Sequence, residues 1–253
     1  MTSTSRAQSF NTAATQYAAS RPSYPPALFD AIEQLTGGHL TGAHVADVGA
    51  GTGIATALLH ERGAKVIAVE PGEAMARECR KALPEVPVVR GDGNALPLAD
   101  ASCDLIAYAQ SWQWTDPARS VPEALRVLRP AGALVIWWNT TAFDVPWIRA
   151  QHERIARCCG TQQVPATRPG DSDAIRLAGL TGLRVTRRQV RWSRVVPLDV
   201  HLANIGSRSA FLVLDEERRR TFFVDERRVL RDAFPRGEVE ETYLVDLLMA
   251  VRP

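Results

Sequence analysis

The chain has 253 residues, 45% of them hydrophobic and 23% charged, with 30 basic and 28 acidic side chains and a net charge of +2. This composition is ordinary for a globular protein and excludes wholesale disorder. The longest apolar run, Ala133 to Trp138, is far shorter than the ~20 residues of a membrane-spanning helix. The first eight residues lack an apolar signal core, which predicts a cytoplasmic location.

The first part of the chain alternates short apolar runs with amphipathic stretches. Residues 27–35, after Pro26, predict a helix that Gly37 ends. Apolar runs predict five buried strands at 44–48, 65–69, 86–89, 104–109 and 133–138, and the amphipathic stretches predict helices at 54–62, 72–83 and 117–128. Apolar strands separated by helices of about a dozen residues are typical of a parallel sheet with helices on both faces.

The pattern changes after Asn139. We predict helices at 146–159 and 173–178, a strand over 183–196, a mostly helical segment over 197–233 that is rich in Arg and Glu, and a last strand over 239–251. The fold class is therefore α/β, with a seven-stranded, mostly parallel sheet and additional helices that form a cap. We expect the last strand to be antiparallel.

A glycine-rich segment follows the first predicted strand. Gly49, Gly51 and Gly53 come just after Asp47 and open a predicted helix. Glycines let the backbone turn tightly and approach a ligand, and a helix N-terminus presents unpaired N–H groups. The next strand ends at Glu70, whose carboxylate can accept hydrogen bonds from both hydroxyls of a ribose. The spacing G-x-G-x-G differs from the G-x-G-x-x-G of dinucleotide-binding loops.

This loop and the acid before it resemble the first motif of class I S-adenosylmethionine-dependent methyltransferases. Three more segments follow in the family's order. Asp92 to Leu98 comes after the third strand, Asp104 to Ile106 begins the fourth, and Leu125 to Gly132 precedes the fifth. In the last segment Ala131 stands where the family has glycine. The resemblance covers most of residues 43–140.

A narrower resemblance points to small-molecule enzymes akin to the trans-aconitate and ubiquinone/menaquinone methyltransferases. The block from Gln110 to Pro117 resembles their A-Q-A-W-H-W-V-D-P, with Gln113 at the histidine position. Tyr17 and the Arg21 to Pro25 segment resemble their N-terminal Y-x-x-x-R-P-x-Y-P, and residues 204–214 resemble a cap segment. Tyr17 and Arg21 are four apart and would share a helix face, so we expect this arm to fold over the cofactor.

The resemblance implies a Rossmann-like fold, S-adenosylmethionine as cofactor and in-line methyl transfer to O, C or N of a small-molecule acceptor. It implies an N-terminal arm or lid at 1–36, a cofactor-binding core at 37–140, and cap segments with the last two strands at 141–253. No metal is implied, and the four cysteines form no C-x-x-C pair. The expected cofactor-binding residues are Tyr17, Arg21, Asp47, Gly49, Gly51, Gly53, Glu70, Pro71, Asp92, Gly93, Asn94 and Gln110.

On the acceptor side we expect Trp112, Gln113 and His201 to contribute to catalysis. Trp112 follows the fourth strand at the edge where open α/β sheets bind ligands, so its ring would wall the pocket while Trp114 packs inside. Gln113 can orient an acceptor but cannot titrate near neutral pH. His201 is the titrating base that the cap offers, although a lone histidine is more commonly structural.

Alternatives stay open from the sequence alone. An NAD(P)-dependent oxidoreductase shares the strand–glycine–helix plan, and the loss of the family histidine at Gln113 would suit a non-catalytic S-adenosylmethionine-binding protein. Residues 151–253 hold 18 basic and 14 acidic side chains that alternate, a pattern typical of a solvated surface. We therefore expect a small-molecule partner, no nucleic acid, no membrane, and a monomer or homodimer.

Overall fold

The structure is a computed structural model that describes residues 21–160 and 179–251. Tyr17 and the helix predicted at 173–178 lie outside these residues. The chain divides into two compact units. Within the described ranges, the loop unit comprises residues 23–139, 179–190 and 245–251, and the helical unit comprises residues 21–22, 140–160 and 191–244.

Seven strands and eight α-helices are described. The strands are β1 (His44–Val48), β2 (Lys65–Glu70), β3 (Val88–Arg90), β4 (Cys103–Ala109), β5 (Leu128–Thr141), β6 (Arg184–Pro197) and β7 (Glu238–Val251). The helices are α1 (Pro26–Thr36), α2 (Ile54–Glu61), α3 (Glu73–Ala82), α4 (Pro117–Val127), α5 (Pro146–Cys159), α6 (Leu198–Gly206), α7 (Ser209–Leu212) and α8 (Glu216–Ala233). None of them is long and apolar enough to cross a membrane.

The strands form one sheet in the order β3-β2-β1-β4-β5-β7-β6. The pairs β1–β2, β1–β4, β2–β3 and β4–β5 are parallel, and the last strands are antiparallel. The predicted α/β fold with a mostly parallel sheet is confirmed. Because β1 is central and its neighbours run the same way, β1, β2 and β4 end at one edge, where open sheets bind ligands.

The fifth strand starts earlier than predicted. We expected it at Ala133, after a break at Pro130 and Gly132, whereas β5 begins at Leu128 directly after α4. Leu128 pairs with Cys103, but Ala133 already pairs with Leu105, so the residues between them are extra in the ladder. Ala131, at the family's glycine position, has φ +65°, a conformation that costs a non-glycine residue roughly 1 kcal/mol.

Each unit has its own apolar core. In the loop unit, side chains of β1, β4 and β5 pack with helix α4 around Ile106, Tyr108 and Trp112. In the helical unit, helices α6 and α8 pack around Phe211, Phe222 and Leu230. The caps follow their sequence signals: Asp116 accepts a hydrogen bond from the backbone of α4, and Asp215 does the same for α8.

Candidate functional site

The glycine loop follows β1 in the loop unit. Gly49, Gly51 and Gly53 have φ values of +71°, +60° and +91°, a region that favours glycine. A Cβ on Gly49 would lie 2.5 Å from Cβ of Ser111, and one on Gly53 would lie 2.8 Å from Sγ of Cys79. A Cβ on Gly51 would meet no atom within 4 Å. Packing therefore requires glycine at the two outer positions, whereas the middle one leaves its backbone open to a ligand.

Glu70, at the end of β2, is buried and holds this loop. Its Oε2 accepts a hydrogen bond from the Gly51 N–H at 2.8 Å, and its Oε1 accepts one from the Gly72 N–H at 2.7 Å. Burial raises the pKa of Glu70, and the two backbone donors oppose that shift. A carboxylate has about four lone-pair sites, so Glu70 can bind the loop and still accept hydrogen bonds from a ligand.

Asp47 is fully buried and only half satisfied. Its Oδ2 accepts a hydrogen bond from the Thr56 hydroxyl at 2.6 Å. Its Oδ1 has no hydrogen-bond partner in the described part of the chain, and neither has the buried hydroxyl of Thr52 in the same loop. Burial raises the pKa of Asp47 to about 6, with a further contribution from the charge of Glu70. Two buried oxygens at this loop therefore have unused hydrogen-bond capacity within the described part of the chain.

The segment after β3 forms a tight turn. Asp92 is exposed, and its Oδ1 accepts a hydrogen bond from the Asn94 N–H at 2.9 Å. The side-chain oxygen of Asn94 accepts one from the Asp116 N–H at 2.7 Å, which ties the turn to the start of α4. Gly93 lies under the Tyr108 ring, whose hydroxyl donates to the Gly93 carbonyl at 3.3 Å. The Asp92 carboxylate is therefore held in place and remains open to solvent.

The block after β4 is braced by Gln113. Its Nε2 donates to the Gln110 carbonyl at 2.6 Å, and its Oε1 accepts a hydrogen bond from the Trp138 indole at 2.9 Å. Gln110 has φ +60°, and its N–H donates to the Trp137 carbonyl. Both ends of the Gln113 amide are thus used within the chain. Pro71, also predicted here, is exposed, and its carbonyl accepts a hydrogen bond from Arg90.

The prediction for the two tryptophans was wrong about which is buried. Trp112 is 1% exposed and packs edge-to-face on Tyr108 with ring centroids 4.9 Å apart, whereas Trp114 is partly exposed. The two rings flank Gln113 on a single turn of 3₁₀-helix (Trp112–Trp114), and the packing of that turn on β4 decides which ring enters the core. Trp112 therefore belongs to the apolar core of the loop unit.

His201 lies in α6 of the helical unit and is buried in a polar network. Its Nδ1 is 2.6 Å from Oε1 of Glu241, and its Nε2 is 2.9 Å from the side-chain nitrogen of Gln151. That nitrogen also donates to Glu226 at 2.9 Å, and Arg154 forms two hydrogen bonds with the same carboxylate. Both ring nitrogens of His201 are thus engaged within the chain.

The network fixes the orientation of the Gln151 side-chain amide. The Glu226 carboxylate only accepts hydrogen bonds, so the Gln151 side chain must turn its NH₂ group toward it. The same NH₂ faces Nε2 of His201, and Nδ1 of the ring lies against the Glu241 carboxylate. Arg21 also lies in this unit, where its guanidinium donates to the Ser207 carbonyl at 3.0 Å.

Several members of these sites escaped the sequence analysis. Thr52 lies inside the G-x-G-x-G loop, so its position was the available signal. Gln151, Glu226 and Glu241 are far apart in the chain and match no motif. For the network around His201, the sequence offered one signal: Glu241 is a carboxylate within a strand whose other residues predict burial.

Comparisons with known proteins agree with this geometry. A methyltransferase domain family model matches residues 46–136. An uncharacterised methyltransferase of Mycobacterium tuberculosis is 35% identical over 227 residues, which are 90% of this chain and 87% of the relative. Trans-aconitate 2-methyltransferase of Azoarcus sp. is 44% identical over 114 residues, 44% of each chain. A solved structure described as a type II methyltransferase of Anaeromyxobacter dehalogenans matches with TM-score 0.71 and 25% identity, covering 92% of this chain and 99% of its own.

The fold and the glycine loop thus define a class I methyltransferase. The chain belongs to the S-adenosylmethionine-dependent methyltransferase family, as the motifs predicted. The alternatives of an NAD(P)-dependent oxidoreductase and of a non-catalytic protein are not supported.

Proposed function

We propose that this chain transfers the methyl group of S-adenosylmethionine to a small-molecule acceptor. In this proposal the loop unit binds the cofactor through Asp47, the glycine loop, Glu70 and the turn at Asp92. The division into arm, core and cap expected from the sequence remains part of the proposal.

The observation that carries the cofactor assignment is the unpartnered Oδ1 of Asp47. A buried carboxylate oxygen without a donor is costly, and an ammonium group supplies both the missing hydrogen bond and the opposite charge. The amino-acid tail of S-adenosylmethionine carries such a group. The open backbone at Gly51 and the free hydroxyl of Thr52 lie in the same loop and suit the same tail. The residues present therefore fit this cofactor.

When bound, the cofactor supplies a methyl group already activated by the positive charge of its sulfonium. The chain's own contribution is then to align the acceptor and exclude water. Asp47 would hold the amino-acid tail of the cofactor, Glu70 would accept hydrogen bonds from its ribose hydroxyls, and Asp92 would face its adenine. Gln113 braces the block after β4 and cannot titrate, and both ring nitrogens of His201 are engaged. These contacts favour an acceptor atom that needs no strong general base.

Two observations support a small acceptor. The likeness to trans-aconitate 2-methyltransferase of Azoarcus sp. extends over 114 residues. The outer face of helix α8 alternates acids and arginines, and Asp215 caps the helix, which suits a solvated surface better than a nucleic-acid interface. Oligomeric state and the atom methylated stay predictions.

Calorimetry with S-adenosylhomocysteine and, separately, NADH tests the cofactor assignment. We expect the wild-type protein to bind S-adenosylhomocysteine and not NADH. Glu70→Gln places an NH₂ against the N–H of Gly51 or Gly72, so S-adenosylhomocysteine affinity should fall by about tenfold or more. Glu85→Gln, an exposed carboxylate of the loop unit, is the matched control and should bind normally.

Turnover is tested separately. The protein is incubated with methyl-labelled S-adenosylmethionine and a panel of small carboxylic acids, alcohols and amines, and mass spectrometry shows which compound gains a methyl group. A wild-type protein that binds no S-adenosylhomocysteine, or binds NADH instead, would contradict the proposal.

A further inference from the structure

A small cavity in the helical unit has an arginine in its wall with no partner. The cavity, of about 30 Å³, is lined by residues that include Gln151, His152, His201, Arg208 and Tyr243. No residue in the described ranges accepts a hydrogen bond from the Arg208 guanidinium or forms an ion pair with it. The side chain is half-buried, and burial lowers its pKa. A desolvated guanidinium of this kind is stabilised by an anion.

Glu241, a carboxylate that lines this cavity, cannot serve as the anionic partner of Arg208, because its lone pairs already accept other hydrogen bonds. Oε1 of Glu241 accepts from His201 at 2.6 Å and from Asn204 at 3.2 Å. Oε2 accepts from Arg194 at 2.6 Å and from the Tyr243 hydroxyl at 2.8 Å. A carboxylate has about four lone-pair sites, and these four donors occupy them. The carboxylate therefore has no site left for Arg208.

The surroundings of the cavity are electropositive. Arg21 lies close enough for its charge to lower the pKa of Arg208, and Arg194 is bound to the one carboxylate, Glu241. His152 lines the same cavity, and its Nδ1 is buried with no hydrogen-bond partner in the described ranges. Burial and the charge of Arg208 both lower the pKa of His152, so the ring is neutral and has an N–H to donate.

We infer that Arg208, with His152 beside it, binds the carboxylate group of a small organic anion. This inference goes beyond the proposed function, because it concerns a site within the helical unit alone. The cavity has room for a water-sized group, so it takes the anionic end of the ligand rather than the whole molecule. A guanidinium suits this role because its planar N–H groups match the two oxygens of a carboxylate.

The test measures binding of succinate and citrate, with succinamide as the neutral counterpart, to the full-length protein saturated with S-adenosylhomocysteine. We expect the wild-type protein to bind the carboxylates and not the amide. Arg208→Gln should weaken carboxylate binding by about 10- to 100-fold, and Arg208→Lys should weaken it less because the charge remains. Arg220→Gln removes the same charge from an exposed position of α8 and is the matched control.

The melting temperature of the same variants distinguishes a binding role of Arg208 from a structural one, because the two roles predict opposite changes. Because the Arg208 guanidinium has no partner among the described residues, Arg208→Gln should leave the melting temperature of the ligand-free protein unchanged or raise it. A lower melting temperature would show that the side chain supports the fold and would overturn the inference. So would carboxylate binding that is absent from the wild type, unchanged in Arg208→Gln, or equally weakened in Arg220→Gln.

The two proposals fail in different ways. Normal S-adenosylhomocysteine binding without carboxylate binding refutes the role of Arg208 and leaves the methyltransferase proposal intact. Failure of wild-type protein to bind S-adenosylhomocysteine refutes the cofactor assignment itself.

Discussion

Replacing Asp47 with asparagine tests two effects of its buried charge, one on the stability of the fold and one on cofactor binding. The carboxylate is fully buried, with one oxygen bonded to Thr56 and the other unpartnered. Asparagine keeps the size and the acceptor for Thr56 but removes the charge. We expect Asp47→Asn to bind the cofactor more weakly. We also expect its free energy of unfolding to lack the pH dependence that the buried carboxylate gives the wild-type protein.

The magnitude follows from the pKa of Asp47, which burial raises from 3.8 to about 6. A shift of about two units corresponds to roughly 3 kcal/mol at 1.36 kcal/mol per unit. The folded state holds the proton more tightly than the unfolded chain, so stability from this group is greatest below pH 4. It falls as the pH rises from about 4 to about 6 and stays low above that.

The assay is urea unfolding of both proteins at several pH values from 4 to 8. The asparagine NH₂ has no acceptor in the loop, which costs about 1–3 kcal/mol at every pH. This constant cost cancels when the difference between the variant and the wild type is compared across pH. That difference should move in favour of the variant by roughly 2 kcal/mol between pH 4 and pH 7. Asp225→Asn, at an exposed site on α8, is the control and should show no such change.

Binding is measured on the same proteins with two ligands. S-adenosylhomocysteine carries the amino-acid tail, whereas methylthioadenosine lacks it. Asp47→Asn should weaken S-adenosylhomocysteine by about 10- to 100-fold and leave methylthioadenosine unchanged. A variant that follows the wild-type pH profile, or loses affinity for both ligands equally, would refute the reasoning that the buried charge of Asp47 serves the ammonium group.

Three further predictions concern packing and charge, each measured by urea unfolding. Gly49→Ala should lower the free energy of unfolding by more than about 2 kcal/mol, because its Cβ overlaps a neighbour, while Gly51→Ala should cost only about 1 kcal/mol and act mainly on cofactor affinity. Trp112→Ala should cost about 3–5 kcal/mol and Trp114→Ala clearly less; equal losses would contradict the burial difference. Glu241→Gln should cost about 3–5 kcal/mol at pH 7, and this loss should shrink as the pH falls below about 4.5, because burial raises the pKa of Glu241 less than His201 and Arg194 lower it.

The strands of the parallel sheet, the glycine loop and its acids could be predicted because their signals are local. Apolar runs such as His44–Val48 are buried on both sides in a parallel sheet, so their composition alone indicates strands. The glycines must be glycine for reasons of backbone angle, and that requirement is written into adjacent positions. The start of β5 was missed because pairing with Cys103 outweighs the turn signals of Pro130 and Gly132.

The sequence by itself determined the family, the fold and the residues of the glycine loop, because each depends on residues close together in the chain. Only the tertiary structure decided that Trp112 is buried rather than Trp114, that both ring nitrogens of His201 are engaged, and that the Arg208 guanidinium has no partner within residues 21–160 and 179–251. The carboxylate that fixes His201 lies 40 residues away in β7, and the four donors around it come from three separate elements. Hydrogen-bond capacity is shared among such groups, so the group left without a partner is evident only once they are brought together.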